Sequence, residues 1–273
     1  MVKNSLTRNV KGISTGFDKL DEMTMGLQDS DLVIIAGRPA MGKTTFALSM
    51  AKNIAADKRI PMAYFSLEIS NVQLLNRLLS NVCEIERGKI LNSNLSKEEW
   101  NSLDKNLNSL LKVPMYLDDT EGISLQELKS KTCCLVREKG IKLIMIDYLQ
   151  LMTACDMKYN SRQEEISFII LSLKNMAKEL KIPIIVLSQM ETVPDVRRPC
   201  LSDLRENFDI EQNADIILFL HRPEYYGIYQ SKDGVIDYRG KAEVIISKNH
   251  KDATGIILMD IKGEYSRFDN PIV

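Results

Sequence analysis

Short apolar runs alternate along the chain with segments whose apolar residues recur at helical spacing. Residues 32–36 form a run apolar on both faces, which predicts a buried strand, and residues 43–56 read as a helix. A strand over 61–66 follows, then helical segments at 72–82 and 96–111, the second opened by Ser96 and Glu99 at capping-box spacing. The pattern continues as strand 113–117, helix 124–138 with a Ser124/Glu127 cap, strand 142–146, a helix near 163–180 and strand 183–187. Three last runs, 215–220, 242–247 and 256–261, are spaced so closely that they read as strands without intervening helices.

Strands apolar on both faces and separated by helices indicate a parallel sheet covered by helices, an α/β fold. The last strands are expected to extend it as an antiparallel edge. Residues 153–161 and 191–210 fit neither period. Both are polar loops that follow strand ends, where ligands bind in open α/β sheets. No internal repeat or Pro/Gly-rich linker interrupts the chain, so a single domain is expected.

Composition narrows the partners. The chain has 273 residues, 44% hydrophobic and 27% charged, enough for one large α/β core. No apolar run approaches a membrane span and the N-terminus carries no signal-like stretch, which points to a cytoplasmic protein with no membrane partner. The formal net charge is −1, so any contact with nucleic acid must be local or assembled from several subunits. Five cysteines without CxxC spacing and only two histidines argue against a zinc site and for reduced, mostly structural thiols.

The most specific chemistry lies after the first strand. Gly37-Arg38-Pro39-Ala40-Met41-Gly42-Lys43-Thr44, with Thr45 beyond, has the phosphate-loop spacing between a strand and a helix. Two glycines let backbone N–H groups turn toward phosphate, and the helix N-terminus adds its dipole. In that arrangement Lys43 reaches the β- and γ-phosphates and Thr44 ligates Mg²⁺, so ATP and Mg²⁺ are the predicted cofactors. Asp147 ends an apolar strand, the form that places a second carboxylate beside the metal. Glu68 follows the 61–66 strand and reads either as the group that activates water or as a first-turn helix acid. Gln189 ends its strand as Asp147 does, where an amide senses the γ-phosphate or bonds the loop.

These residues resemble the C-terminal, RecA-like motor domain of replicative DNA helicases of the DnaB type. The matching runs are Thr15-Gly16-Phe17 with Leu20-Asp21, Gly37–Thr44, Phe65-Ser66-Leu67-Glu68, and Ile146-Asp147-Tyr148-Leu149-Gln150-Leu151-Met152. Further on come Arg162-Gln163-Glu164-Glu165-Ile166, Leu187-Ser188-Gln189, Leu201-Ser202-Asp203-Leu204-Arg205-Glu206, Ile210-Glu211-Gln212-Asn213-Ala214-Asp215 and Gly263-Glu264-Tyr265-Ser266-Arg267-Phe268. The resemblance implies a RecA-like P-loop NTPase fold with Glu68 as catalytic base, Asp147 on the metal side and Gln189 as sensor. It places Arg205 and Glu206, with Phe208 beside them, on a loop that contacts single-stranded DNA. Lys248 would reach the γ-phosphate of the neighbouring subunit.

The chain departs from the family pattern in several places. His250 stands where an arginine finger is expected, and Asn207-Phe208 replaces Ser-Gly. His250 acts as a protonated substitute, yields to Lys251, leaves hydrolysis slow, or is a plain polar loop residue. Arg197 and Arg198 offer charge near the loop after Gln189, where an arginine is absent. Family members carry a collar domain and a linker helix ahead of the motor. Here residues 1–12 read as a linker remnant before one ATPase domain spanning 1–273, with no collar, and weak self-association is expected. The implied function is an ATP-driven motor on single-stranded DNA, hexameric in the full-length context, with a helicase loader and primase as partners. The alternatives are a nucleotide-binding assembly module or a RecA-type loader with weak ATPase.

Overall fold

The computed structural model describes residues 11–154, 158–191, 196–251 and 253–271, without the side chains of 205–208. At its centre is β1 (Leu32–Gly37), buried at every position. It is flanked by β5 (Ile184–Gln189) and β6 (Ile216–His221), both parallel to it. With β2 (Met62–Ser66), β3 (Met115–Asp118), β4 (Leu143–Asp147), β7 (Lys241–Asn249), β8 (Gly255–Lys262) and β9 (Arg267–Asp269), they form one sheet in the order β3-β2-β4-β5-β1-β6-β7-β8-β9.

β7, β8 and β9 make the antiparallel extension expected from the sequence. β6 departs from that expectation, since it is a sixth parallel strand. The reason lies in the stretch read as a loop over 191–210. It contains a 3₁₀ segment, Leu201–Asn207, running into helix α8 (Phe208–Asn213), which makes the crossover that a parallel pairing needs. The described parts of α1 (Asp18–Thr24) and β9 carry no strong period of their own, being seven and three residues long.

Period-two alternation sends neighbouring strand residues to opposite layers. Val33, Ile35, Tyr64, Met145 and Leu187 pack with Phe46, Ala47 and Met50 of α2 (Lys43–Lys52) and Leu74 of α3 (Asn71–Cys83). Ile34, Phe65, Ile146 and Val186 pack on the other face with Leu128 of α6 (Leu125–Lys139) and Ile169, Ile170, Leu173 and Ala177 of α7 (Arg162–Leu180). Each large side chain buried this way contributes about 1.5–3 kcal/mol. The two remaining helices, α4 (Arg87–Leu91) and α5 (Lys97–Leu110), lie outside; α5 starts with the reciprocal Ser96/Glu99 capping box. Ser124 caps α6 by accepting from the N–H of Glu127. Cys83 and Cys133 are half-buried, whereas Cys134 and Cys200 are exposed, so two of the described thiols are less enclosed than a structural role suggests.

Both ends of the described chain meet on α2. Phe46 stacks on Phe17 at 5.1 Å and meets the edge of Phe268 at 5.3 Å. Asn270 accepts from the N–H of Asp18 at 2.9 Å and donates to the carbonyl of Gly16 at 3.1 Å. Ser49 of α2 accepts from the N–H of Phe268 at 2.9 Å, which ties β9 to the same helix.

His221 at the end of β6 is buried and stacks on Tyr226 at 5.6 Å. Burial, with Arg38 and Arg198 nearby, holds its imidazole below the ordinary value of 6.5, against the pull of Glu243. The unfolded chain therefore binds more protons than the folded one as pH drops through 6.5, and folding stability is lost in that window. Denaturation at about pH 7.5 and about pH 5.5 should show a smaller difference in His221→Phe than in the parent chain. An equal slope in both would remove His221 as the cause.

Candidate nucleotide-binding site

The C-terminal ends of β1, β2, β4 and β5 meet at one edge of the sheet, and the sequence-predicted groups gather there. After Gly37 the chain passes through a loop to Gly42, whose φ of +90° only glycine adopts without strain, and α2 starts at Lys43. A Cβ on Gly42 would also lie 3.2 Å from the Phe268 ring. The Lys43 ammonium donates to the carbonyls of Gly37 at 2.8 Å and Arg38 at 3.1 Å, so it already spans the mouth of the loop. Burial lowers its pKa, while Asp147 and Glu68 act in the opposite sense.

Asp147 ends β4 and is buried. Burial raises its pKa, although hydroxyls of Thr44 and Tyr64 bond its charged form, Tyr64 at 3.0 Å. Glu68 lies beyond β2, two residues before Ser70, the N-cap of α3, whose side chain accepts from the N–H of Gln73. It therefore stands outside the helix, and the first-turn reading of this acid is not what the backbone shows.

Lys43, Thr44, Thr45, Glu68, Asp147 and Gln189 line a single cleft of 530 Å³ together with Pro39, Ala40 and Gly42. Two loop residues turn their side chains elsewhere. Met41 is in the core, and the buried Arg38 guanidinium lies 6.0 Å over the Tyr226 ring. Lys248 is outside the cleft. It pairs with Ile217 at the opposite end of the sheet, and its ammonium donates to the carbonyls of Glu211 and Gln212 in the last turn of α8. His250 lies on the same edge with Nδ1 3.5 Å from Asp215, and Lys251 is ion-paired to Asp31. Arg197 pairs with Asp203, and Arg198 makes a two-pronged bond to the buried Glu243 at 2.6 and 2.8 Å, so both arginines are already engaged. Side chains of Arg205, Glu206 and Phe208 lie outside the described residues.

The model of the DnaB-like helicase C-terminal domain family matches residues 12–270. The chain belongs to this family. It is 42% identical over 272 residues to the replicative DNA helicase DnaB of Buchnera aphidicola subsp. Baizongia pistaciae, covering 98% of this chain and 57% of that one. It therefore spans just over half the length of the curated relatives it matches. A solved DnaB-like replicative helicase, described with its interactions with primase, superposes with a TM-score of 0.87 at 36% identity over 97% of this chain and 63% of that one. A second solved structure, described as an ATPase domain, gives a TM-score of 0.88 at 36% identity over 98% of this chain and 94% of that one.

Within this DnaB-like domain the structure adds residues to which the sequence assigned no role. Gln150 makes a reciprocal amide bond with the backbone of Gln189, accepting from its N–H at 3.1 Å and donating to its carbonyl at 3.0 Å. A further bond to Ser188 Oγ at 3.0 Å fixes the end of β5. Arg77, Arg87 and Arg222 also line the cleft. One signal pointed to Arg77: it falls between Leu74 and Leu78 in the buried stripe of α3.

Proposed function

We propose that the chain is the ATP-driven motor domain of a replicative-type DNA helicase, one RecA-like ATPase domain that moves on single-stranded DNA in a hexameric ring. The convergence of Lys43, Thr44, Glu68, Asp147 and Gln189 on one cleft carries this reading. Their donor set fits Mg-ATP. Lys43 would exchange two carbonyl partners for phosphate oxygens, and Thr44 with Asp147 would hold the metal. Mg²⁺, when bound, neutralises charge on the phosphates. Glu68 takes a proton from the water that attacks the γ-phosphorus. Gln189, held by Gln150, presents its amide at the end of β5.

Lys248 cannot serve its own nucleotide from the opposite end of the sheet, which supports action on a neighbour and hydrolysis at subunit interfaces. Arg205, Glu206 and Phe208 are the proposed DNA contacts, and loader and primase the proposed further partners. Among the described residues no helix is long and apolar enough to cross a membrane; we place the protein in the cytoplasm.

The test is steady-state ATP hydrolysis at high protein concentration, with and without single-stranded DNA, using Lys43→Ala as the blank. DNA should raise turnover several-fold, and the Lys43 variant should lose both basal and stimulated activity. Nucleotide binding with no response to DNA would replace the motor with an assembly module.

A further inference from the structure

Tyr64 has no part in the reaction outlined above, yet it touches a group that has. Period-two alternation sends it from β2 into the α2 layer, where it is fully buried in one apolar cluster with Val33, Ile35, Met145 and Leu187. Its ring fills that place as any large apolar side chain would. The hydroxyl is a different matter, because a buried phenol O–H costs free energy unless it has a partner. That partner is the carboxylate of Asp147, to which Tyr64 donates at 3.0 Å.

Sheet register brings the two together. β2 and β4 run parallel with Tyr64 beside Met145 and Ser66 beside Asp147. Asp147 lies two residues beyond Met145, so it stands on the same face and Tyr64 reaches it diagonally across the strand pair. The chain just beyond β2 holds Asp147 again through its backbone, since the N–H of Leu67 donates to the Asp147 carbonyl at 2.7 Å. Glu68 comes next, so the segment that ties down the metal-side carboxylate also carries the proposed base.

The last torsion of an aspartate has broad wells, and a carboxylate turns easily within them. A hydrogen bond from the core side to Oδ2 removes that freedom at the mouth of the cleft that Asp147 lines with Thr44. Groups that orient a metal ligand in this way change metal affinity by roughly 10–100-fold when they are removed.

We propose that Tyr64 is a positioning residue for the metal side of the cleft: its buried hydroxyl fixes the Asp147 carboxylate and thereby sets how tightly Mg²⁺ is held with bound nucleotide. This rests on the nucleotide-site reading and adds to it a determinant of metal affinity.

The experiment measures binding of a fluorescent ADP analogue to the full chain across a Mg²⁺ titration, and without Mg²⁺, in the parent, Tyr64→Phe, Asp147→Asn and the double variant. Tyr64→Phe keeps the ring and removes only the hydroxyl. It should raise the Mg²⁺ concentration needed for half-maximal effect by about tenfold, with metal-free ADP affinity held within about twofold. In the Asp147→Asn background the same substitution should move the Mg²⁺ requirement by less than about twofold. Should Tyr64→Phe melt early, that comparison decides, because a packing defect persists when Asp147 is changed and a lost bond to its carboxylate does not. An unchanged Mg²⁺ requirement in Tyr64→Phe would overturn the proposal. Equal loss of ADP affinity with and without Mg²⁺ would do the same and leave Tyr64 a core residue. If ADP binding in the parent ignores Mg²⁺ or survives Lys43→Ala, the failure belongs to the nucleotide-site reading instead.

Discussion

Glu68→Gln should abolish turnover and spare binding. A general base contributes roughly 10²–10⁴-fold to rate, and glutamine matches the carboxylate in size but cannot accept the proton. Glu68 is exposed at the cleft and lies outside α3, so the substitution should cost the fold within about 0.5 kcal/mol. Single-turnover hydrolysis measured alongside nucleotide affinity separates the two effects. A variant that keeps hydrolysis within tenfold of the parent, at equal affinity, would return Glu68 to the role of a surface acid and leave Asp147 or Gln189 to position water.

Phe46→Ala should produce the largest loss of stability among single core truncations near the site. Deleting a fully buried phenyl ring costs about 3–5 kcal/mol in transfer and cavity terms. Here the ring also loses a stacked partner and an edge-on partner, Phe17 and Phe268. Phe46 bonds the carbonyl of Gly42 through its own N–H at 2.8 Å, so the cavity opens directly under the phosphate loop. Urea denaturation should show the midpoint falling, and nucleotide affinity should fall with it. Phe46→Leu should recover part of both. A loss under about 1 kcal/mol would mean that neighbouring rings close over the gap.

The parts of this molecule that were legible in the sequence are those whose signal is local. The phosphate loop, the terminal Asp147 and the long strands each carry spacing or periodicity within a dozen residues, and the structure has them in place. The Ser96/Glu99 box was readable for the same reason. What escaped depends on pairings far apart in sequence. The direction of β6 is fixed by hydrogen bonding to β1 and by the helical crossover before it, and a run of five apolar residues cannot state either. Three-residue β9 owes its existence to β8 and to Ser49. Gln150 belongs to the run that follows Asp147, but its partner is 39 residues on, so its clamp on Gln189 shows only in three dimensions. Arg87 resembles an ordinary helix-surface cation until the cleft it lines is known, whereas Arg77 already falls at helical spacing in the buried stripe of α3.

The bonds between Asn270 and residues 16 and 18 have an architectural consequence. The polypeptide enters and leaves this domain at adjoining points beside α2. Joining those points with a short linker and reopening the chain at an exposed loop, such as the turn at Gly234, should give a circular permutant with the same sheet and the same cleft. A unit whose entrance and exit coincide can be inserted into another polypeptide without stretching its host. Anything fused upstream and anything fused downstream will also start as neighbours, on the side of the domain where the Phe17, Phe46 and Phe268 rings meet.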